Sequence, residues 1–118
     1  MFRLLPGVLP GQPGRPVAVR VEGTSVCLEW NAAAEDDGGL IPIGYIIKYK
    51  LAGSDPENVD TEQVDEVTLS HELRGKLQPQ TSYVFAVAAK TENGEEGPLS
   101  EFSDVVQTNT GNYLPMLC

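Results

Sequence analysis

The chain has 118 residues, 41% hydrophobic and 21% charged, the size and mix of one globular domain rather than a disordered segment. Its 17 Asp and Glu against 8 Lys and Arg leave a net charge of −9, which excludes nucleic acid and an anionic membrane surface as natural partners. No apolar run reaches the roughly 18–20 residues of a membrane-spanning helix, so no direct membrane insertion is expected, and one His with two Cys leaves little material for metal or acid–base chemistry.

In chain order, the first segment is Met1 to Pro10. Pro6-Gly7 interrupts its apolar patch short of the ~7–15 residues of a secretory core. Pro10-Gly11-Gln12-Pro13-Gly14-Arg15-Pro16 then reads as a linker. The lead-in is expected over 1–12, the folded unit over 13–108 and a tail over 109–118.

Within the folded unit the hydrophobic period is two. Val17, Val19 and Val21 alternate with Ala18 and Arg20, and Val26, Leu28 and Trp30 with Cys27 and Glu29. Tyr45, Ile47, Tyr49 and Leu51 alternate with Ile46, Lys48 and Lys50, and Tyr83, Phe85, Val87 and Ala89 with Val84, Ala86, Ala88 and Lys90. Such alternation marks strands with one face on a core and one toward water. Turn signals separate them at Gly23-Thr24, Asp36-Asp37-Gly38-Gly39, Gly53-Ser54-Asp55-Pro56 and Asn93-Gly94. Many short strands at this spacing predict an all-β, seven-stranded antiparallel sandwich of immunoglobulin-like type.

These residues resemble the fibronectin type III family over about 95 of the 118 positions. Pro13 and Pro16 stand at its leading prolines, and Val26-Cys27-Leu28-Glu29-Trp30 resembles its second strand, which ends in the core tryptophan. Gly44 to Tyr49 resembles its third strand. The most specific match is Leu77-Gln78-Pro79-Gln80-Thr81-Ser82-Tyr83, similar to the family's Leu-x-Pro-x-Thr-x-Tyr. The resemblance implies that the Tyr83 hydroxyl bonds back to upstream backbone as a tyrosine corner. Asn93-Gly94, Gly97-Pro98, Ser100 and Thr108 follow its last loop and strand. An immunoglobulin domain is excluded: its tryptophan lies one strand later, and Val87 stands where the disulfide partner would be. Ser70 to Lys76 is about one residue longer than the family's usual approach to the Leu77 position, and a bulge or a shifted strand end is expected to absorb the excess, which leaves the facing of His71 and Leu73 open.

Cys27 is expected to point outward from its strand, with His71 of a neighbouring strand near it. A flat sheet face offers no pocket or oxyanion hole, so no catalytic role is expected for the pair. Both Cys27 and Cys118 are expected as free thiols, since two cysteines are too few for a disulfide scaffold and Cys118 is poorly placed to close a loop. No Asn-x-Ser/Thr sequon occurs.

Two acidic loops, Glu35-Asp36-Asp37 and Glu92, Glu95 and Glu96 (with Asn93 among them), are expected at the same end of the sandwich. They read either as a solvated acidic rim that resists aggregation or as an end that recruits a basic protein partner. No EF-hand spacing is present, so no metal or other cofactor is expected. A second acidic run, seven carboxylates between Asp55 and Glu72 with no Lys or Arg, reads as a loop and a guarded sheet edge.

The outward row Ile46, Val84, Ala86 and Ala88 reads two ways. It is an exposed apolar patch for a neighbouring domain or weak self-association, or a small patch under the stems of Lys48, Lys50 and Lys90.

The integrin-binding Arg-Gly-Asp of some family members is absent from the loop Thr91 to Pro98. Leu99-Ser100-Glu101-Phe102-Ser103 resembles the Trp-Ser-x-Trp-Ser box of haematopoietic cytokine receptors, with Leu99 and Phe102 in the tryptophan places and the companion cysteines missing. The resemblance therefore implies a non-catalytic interaction or spacer module of an adhesion, receptor or scaffold protein, extracellular or at the cell surface. The alternatives are a cytoplasmic cytoskeletal or muscle scaffold domain, favoured by free Cys27 and the missing sequons, a cytokine-receptor-like module, and an accessory domain of a secreted enzyme.

Overall fold

A computed structural model describes residues 10–32, 42–91 and 94–110. The expected all-β architecture is present: strands β1 (Val17–Glu22), β2 (Ser25–Glu29), β3 (Gly44–Leu51), β4 (Asp60–Val64), β5 (Ser70–Leu73), β6 (Ser82–Lys90) and β7 (Val106–Gln107). They form two antiparallel sheets, ordered β1-β2-β5 and β4-β3-β6-β7.

The alternation places one row of each central strand between the sheets. Val26, Leu28 and Trp30 face Tyr45, Ile47 and Tyr49 of β3 and Tyr83, Phe85, Val87 and Ala89 of β6, with Val64, Leu73 and Leu77 at the margins. Phe85, Leu28 and Ile47 are fully buried, each worth roughly 1.5–3 kcal/mol in removed apolar surface. The aromatic rings fill the space by tilted contacts: Trp30 meets Tyr45 edge-on at 5.4 Å, and Phe85 packs at 6.1 Å from Tyr49 and 6.3 Å from Tyr83.

The first strand departs from the simple pattern. A register shift between Ala18 and Arg20 breaks the period of two, so Ala18 and Val21 pack on the core while Val17 and Val19 face solvent. Of the two expected ways to absorb the extra residue before Leu77, a bulge within β5 is not used, because β5 pairs with β2 in continuous register from Ser70 to Leu73. The extra length is taken up after the strand, in a turn where Gly75 has φ +76°, a conformation that a side chain would strain.

Pro10 to Pro16 is no free linker. Pro10, Pro13 and Pro16 are buried, Gly14 N–H donates to Asn31 O at 2.9 Å, and Gln12 Nε2 donates to Leu99 O at 2.9 Å.

The crossover into β6 is fixed as the resemblance implied. Tyr83 stands in the core, and its hydroxyl accepts the Gln78 N–H at 2.8 Å. Thr108, also buried, fastens the same corner from the other side. Its Oγ1 accepts the Thr81 N–H at 3.0 Å and donates to Gln78 O at 2.5 Å.

Between Gly97 and Val106 the last segment follows β6 with three residues for every two. Gly97, Ser100 and Ser103 donate their N–H groups to Ala89, Val87 and Phe85 carbonyls at 2.9, 2.8 and 2.7 Å. The mismatch would leave N–H groups of β6 without acceptors. The hydroxyls of Ser100 and Ser103 fill the gap, accepting from Val87 N–H at 2.9 Å and Phe85 N–H at 3.0 Å. The cytokine-receptor-like box is thus a backbone zipper in this chain, with its serines closing the sheet edge.

Replacing Tyr83 by Phe keeps the ring but leaves the Gln78 N–H without its acceptor. The expected loss is about 1–2 kcal/mol, read as a lower urea midpoint at unchanged slope.

Candidate functional site

Three surfaces carry the residues that sequence reasoning singled out. The first is the loop end of the sandwich. Glu35, Asp36, Asp37, Glu92 and Asn93 lie outside the described residues. Glu95 is exposed, and its backbone is pinned by Thr91, whose N–H donates to Glu95 O at 2.9 Å and whose Oγ1 accepts the Glu95 N–H at 3.2 Å. Glu96 does not stand in the rim as an unpaired acid: it turns over β3 to meet Lys48 Nζ at 2.9 Å.

The second is the outer face of β3 and β6, where Ile46 pairs with Ala88, Lys48 with Ala86 and Lys50 with Val84. An open apolar patch is not what forms there. Ile46, Ala86 and Ala88 are buried, at 4%, 0% and 0% exposure, and Val84 is half-buried. The cover is a ladder of lysines, each drawn to a partner beside the sheet. Lys48 reaches Glu96; Lys50 lies 5.4 Å over the Phe102 ring and donates to Ser54 O at 2.7 Å. Lys90 donates to Gln63 Oε1 at 2.8 Å and to Asp65 Oδ1 at 2.5 Å, and is itself only 8% exposed. The register sets each lysine beside these small side chains, and the charged heads find acceptors at the margins.

Gly44 makes the Lys90 crossing feasible. A Cβ there would come within 2.2 Å of Val64 O and 3.1 Å of Lys90 Cε.

The third surface is the open side of the sandwich between β4 and β5. His71 pairs with Leu28 and so shares the inward row, on the opposite face from Cys27. No thiol–imidazole pair forms. His71 Nε2 instead meets Glu62 Oε2 of the other sheet at 2.9 Å, and Lys76 Nζ meets Glu62 Oε1 at 3.0 Å. Burial alone would raise the Glu62 carboxyl, but hydrogen bonds from His71 and Lys76 outweigh it and hold the group below the usual range. The same contact with Glu62 raises the Lys76 ammonium. Glu62 lies within the acidic run read as a guarded edge, yet it points inward and ties two sheets together.

Cys27 is disulfide-bonded and 1% exposed, which corrects the free-thiol expectation; Cys118 lies outside the described residues. Among the described residues no three His, Cys, Asp or Glu side chains converge as a metal centre would need. Burial raises the Tyr45 hydroxyl, with the Trp30 indole beside it acting in the opposite direction, although no acceptor meets that indole N–H in full hydrogen-bonding geometry. Shallow concavities occur elsewhere among the described residues. One of about 290 Å³ lies beside Tyr49, Asp60, Lys76 and Gln78, and one of about 280 Å³ beside Arg15, Val17, Val19 and Trp30.

The fibronectin type III domain family model matches residues 11–106. Protein sidekick-1 of Homo sapiens is 38% identical over 90 residues, 76% of this chain and 4% of that protein. Receptor-type tyrosine-protein phosphatase S of Gallus gallus is 30% identical over 109 residues, 91% of this chain and 6% of that protein. Among solved structures, the FN5 domain of Drosophila Lar is 32% identical with a TM-score of 0.65, covering 87% of this chain and all of that one. The chain therefore spans a small fraction of the curated relatives it matches, the length of a single module.

Two substitutions probe these surfaces. Gly44→Ala forces the β4 carbonyl and Lys90 apart and is expected to destabilise by about 2 kcal/mol or more, seen as a fall in Tm of roughly 8 °C or more. Glu62→Gln is expected to cost about 1 kcal/mol near neutrality. Because the folded Glu62 pKa is depressed, its contribution is full above the ordinary 4.5 and is lost as pH falls through the lower folded value. Because the Lys76 pKa is raised, its share is full below the ordinary 10.5 and fades as pH rises through the higher folded value. Wild type and Glu62→Gln should thus differ in Tm between these limits and converge at acid pH.

Proposed function

Because the chain belongs to the fibronectin type III domain family, we propose that it works as a non-catalytic spacer and protein-interaction module, one domain within a longer adhesion or receptor chain. One observation carries this reading: the chain enters and leaves the sandwich at opposite ends. The entering segment packs where β6 finishes, with Pro10 against Gly97 and with Gly97 N–H bonded to Ala89 O. The leaving segment is held where β6 begins, by Gln80 N–H to Asn109 O at 2.9 Å and Asn109 N–H to Gly23 O at 2.8 Å. The nine residues of β6 separate these points by roughly 27 Å at strand rise. A domain built this way transmits the chain in line and suits a series of modules.

The groups that chemistry would need are spent on structure. His71 joins the sheets through Glu62, Cys27 is a half-cystine, and the lysines cover the alanines of β3 and β6. The lysine ladder also argues against self-association through that face, since a second copy would have to displace charged heads that already have acceptors. Contact with a partner falls instead to the acidic loop end around Glu95, which selects a basic surface and is screened by salt. The disulfide state of Cys27 favours an oxidising compartment and removes the thiol argument for a cytoplasmic scaffold.

The test is a head-to-tail fusion of two copies of residues 10–110, followed by small-angle scattering. An elongated particle with about twice the maximum dimension of one copy is expected; a compact, folded-back particle of nearly globular dimensions would overturn the in-line spacer role.

A further inference from the structure

The open side of the sandwich, beside β4, holds two polar groups that the fold leaves unused. The register sets Asp60 opposite Tyr49 and Glu62 opposite Ile47, so both carboxylates lie on the inward-facing row of β4. Glu62 is spent on His71 and Lys76. Asp60, two residues before it, makes no hydrogen bond or ion pair with any described residue.

Tyr49 is the second group. Its ring packs with Tyr83 and Phe85 in the core and the residue is only 5% exposed, yet its hydroxyl has no hydrogen bond to any described residue. A hydroxyl on a buried side chain ordinarily has a partner, because leaving the bond unmade costs about 1–3 kcal/mol. The oxygen is not sealed in the core. Tyr49 lines the concavity of about 290 Å³, together with Asp60, Asn58 and Gln78. Burial raises the Tyr49 phenol, and of the charges around it Asp60 acts most strongly, in the same direction.

The cations at the rim do not answer Asp60. Lys76 is engaged by Glu62 at 3.0 Å, and Lys50 by Ser54 O at 2.7 Å and by the Phe102 ring. Two further carboxylates, Asp55 and Glu57, stand exposed in the β3–β4 connection. The concavity therefore presents a negative charge and hydrogen-bonding oxygens that no described cation of this chain takes up.

We propose that this concavity is a contact site for the guanidinium group of an arginine on a partner protein. The planar fork suits the set, since two of its N–H groups can bind the Asp60 carboxylate side by side while the others meet the Tyr49 oxygen and the side-chain carbonyls of Asn58 and Gln78. An oxyanion does not suit it, because Asp60 repels one and both lysines already have acceptors. The site lies where β6 begins, beside Tyr83, at the opposite end of that strand from Glu95. It goes beyond the spacer reading and does not depend on it.

The experiment titrates N-acetyl-arginine amide into the isotope-labelled 118-residue chain at low salt and follows backbone amide shifts by NMR. Saturable shifts at Asp60 and Gln78 are expected, with a Kd on the order of 1–10 mM for this single side chain. Asp60→Asn and Tyr49→Phe should each weaken binding about three-fold or more; a smaller loss in either overturns the site. The neutral isostere N-acetyl-citrulline amide and sodium acetate should leave these amides unmoved, and saturable binding of either overturns the assignment to a guanidinium. Shifts confined to the neighbourhood of Glu95 would place the cation at the loop end, overturning this site while leaving the basic-partner reading intact. The Tm of Tyr49→Phe separately tests the unused hydroxyl. It is expected within about 3 °C of wild type, since no hydrogen bond within the chain is lost; a larger fall would reveal a structural partner for the hydroxyl and overturn the proposal.

Discussion

Tyr83 is the residue on which both sheets and the last crossover depend. Its ring packs with Phe85 and Tyr49 inside the sandwich, and its hydroxyl reaches out of the core to take the Gln78 N–H. The chain between β5 and β6 must cross from one sheet to the other, and a crossing strand end leaves backbone groups without ladder partners. The hydroxyl answers one of them, and Thr108, bonded to Gln78 O and to both N–H and O of Thr81, answers others. The corner therefore sets where β6 starts. The register of β6 in turn sets which of its residues meet β3, from Tyr83 opposite Leu51 to Lys90 opposite Gly44.

Charge completes what burial begins. A sandwich of two small sheets has open sides, and water would enter between β4 and β5 if nothing closed the gap. Glu62, His71 and Lys76 close it with a carboxylate that accepts from both a ring nitrogen and an ammonium. On the outer face of β3 and β6 the lysines stand in register with small side chains and carry their ammonium groups to Glu96, Gln63 and Asp65. Each exposed pair of this kind is worth little alone, and the value of the arrangement lies in excluding water from Ile46 and the alanines. Part of the acidic excess is consequently structural, since Glu62, Asp65 and Glu96 each hold a cation against the sandwich.

The serine zipper shows how the edge of the larger sheet is finished without a long seventh strand. The short β7 pairs only through Val106 and Gln107, and the preceding bonds to β6 come from a bulged segment with hydroxyls standing in for carbonyls. An edge of this form offers no regular row of backbone groups to a second chain. The same segment holds the entry of the chain through Gln12 and Arg15, so the geometry of the edge and the in-line path belong to one construction.

The alternation of Val26 to Trp30, Tyr45 to Tyr49 and Tyr83 to Ala89, with the Leu77-to-Tyr83 motif, was enough by itself to determine an antiparallel sandwich, its core and its tyrosine corner, because strand facing and turn chemistry are local properties. Side-chain reach is not local. Which acid Lys48 or Lys90 would find, and that His71 would meet Glu62 rather than Cys27, depended on distances between elements 9 to 48 residues apart in the chain. The bulge at Ala18–Arg20, which turned Val17 and Val19 to solvent, and the burial of Cys27 on an outward row were decided by tertiary structure, since an alternating pattern carries no record of a register shift or of what lies on top of a sheet.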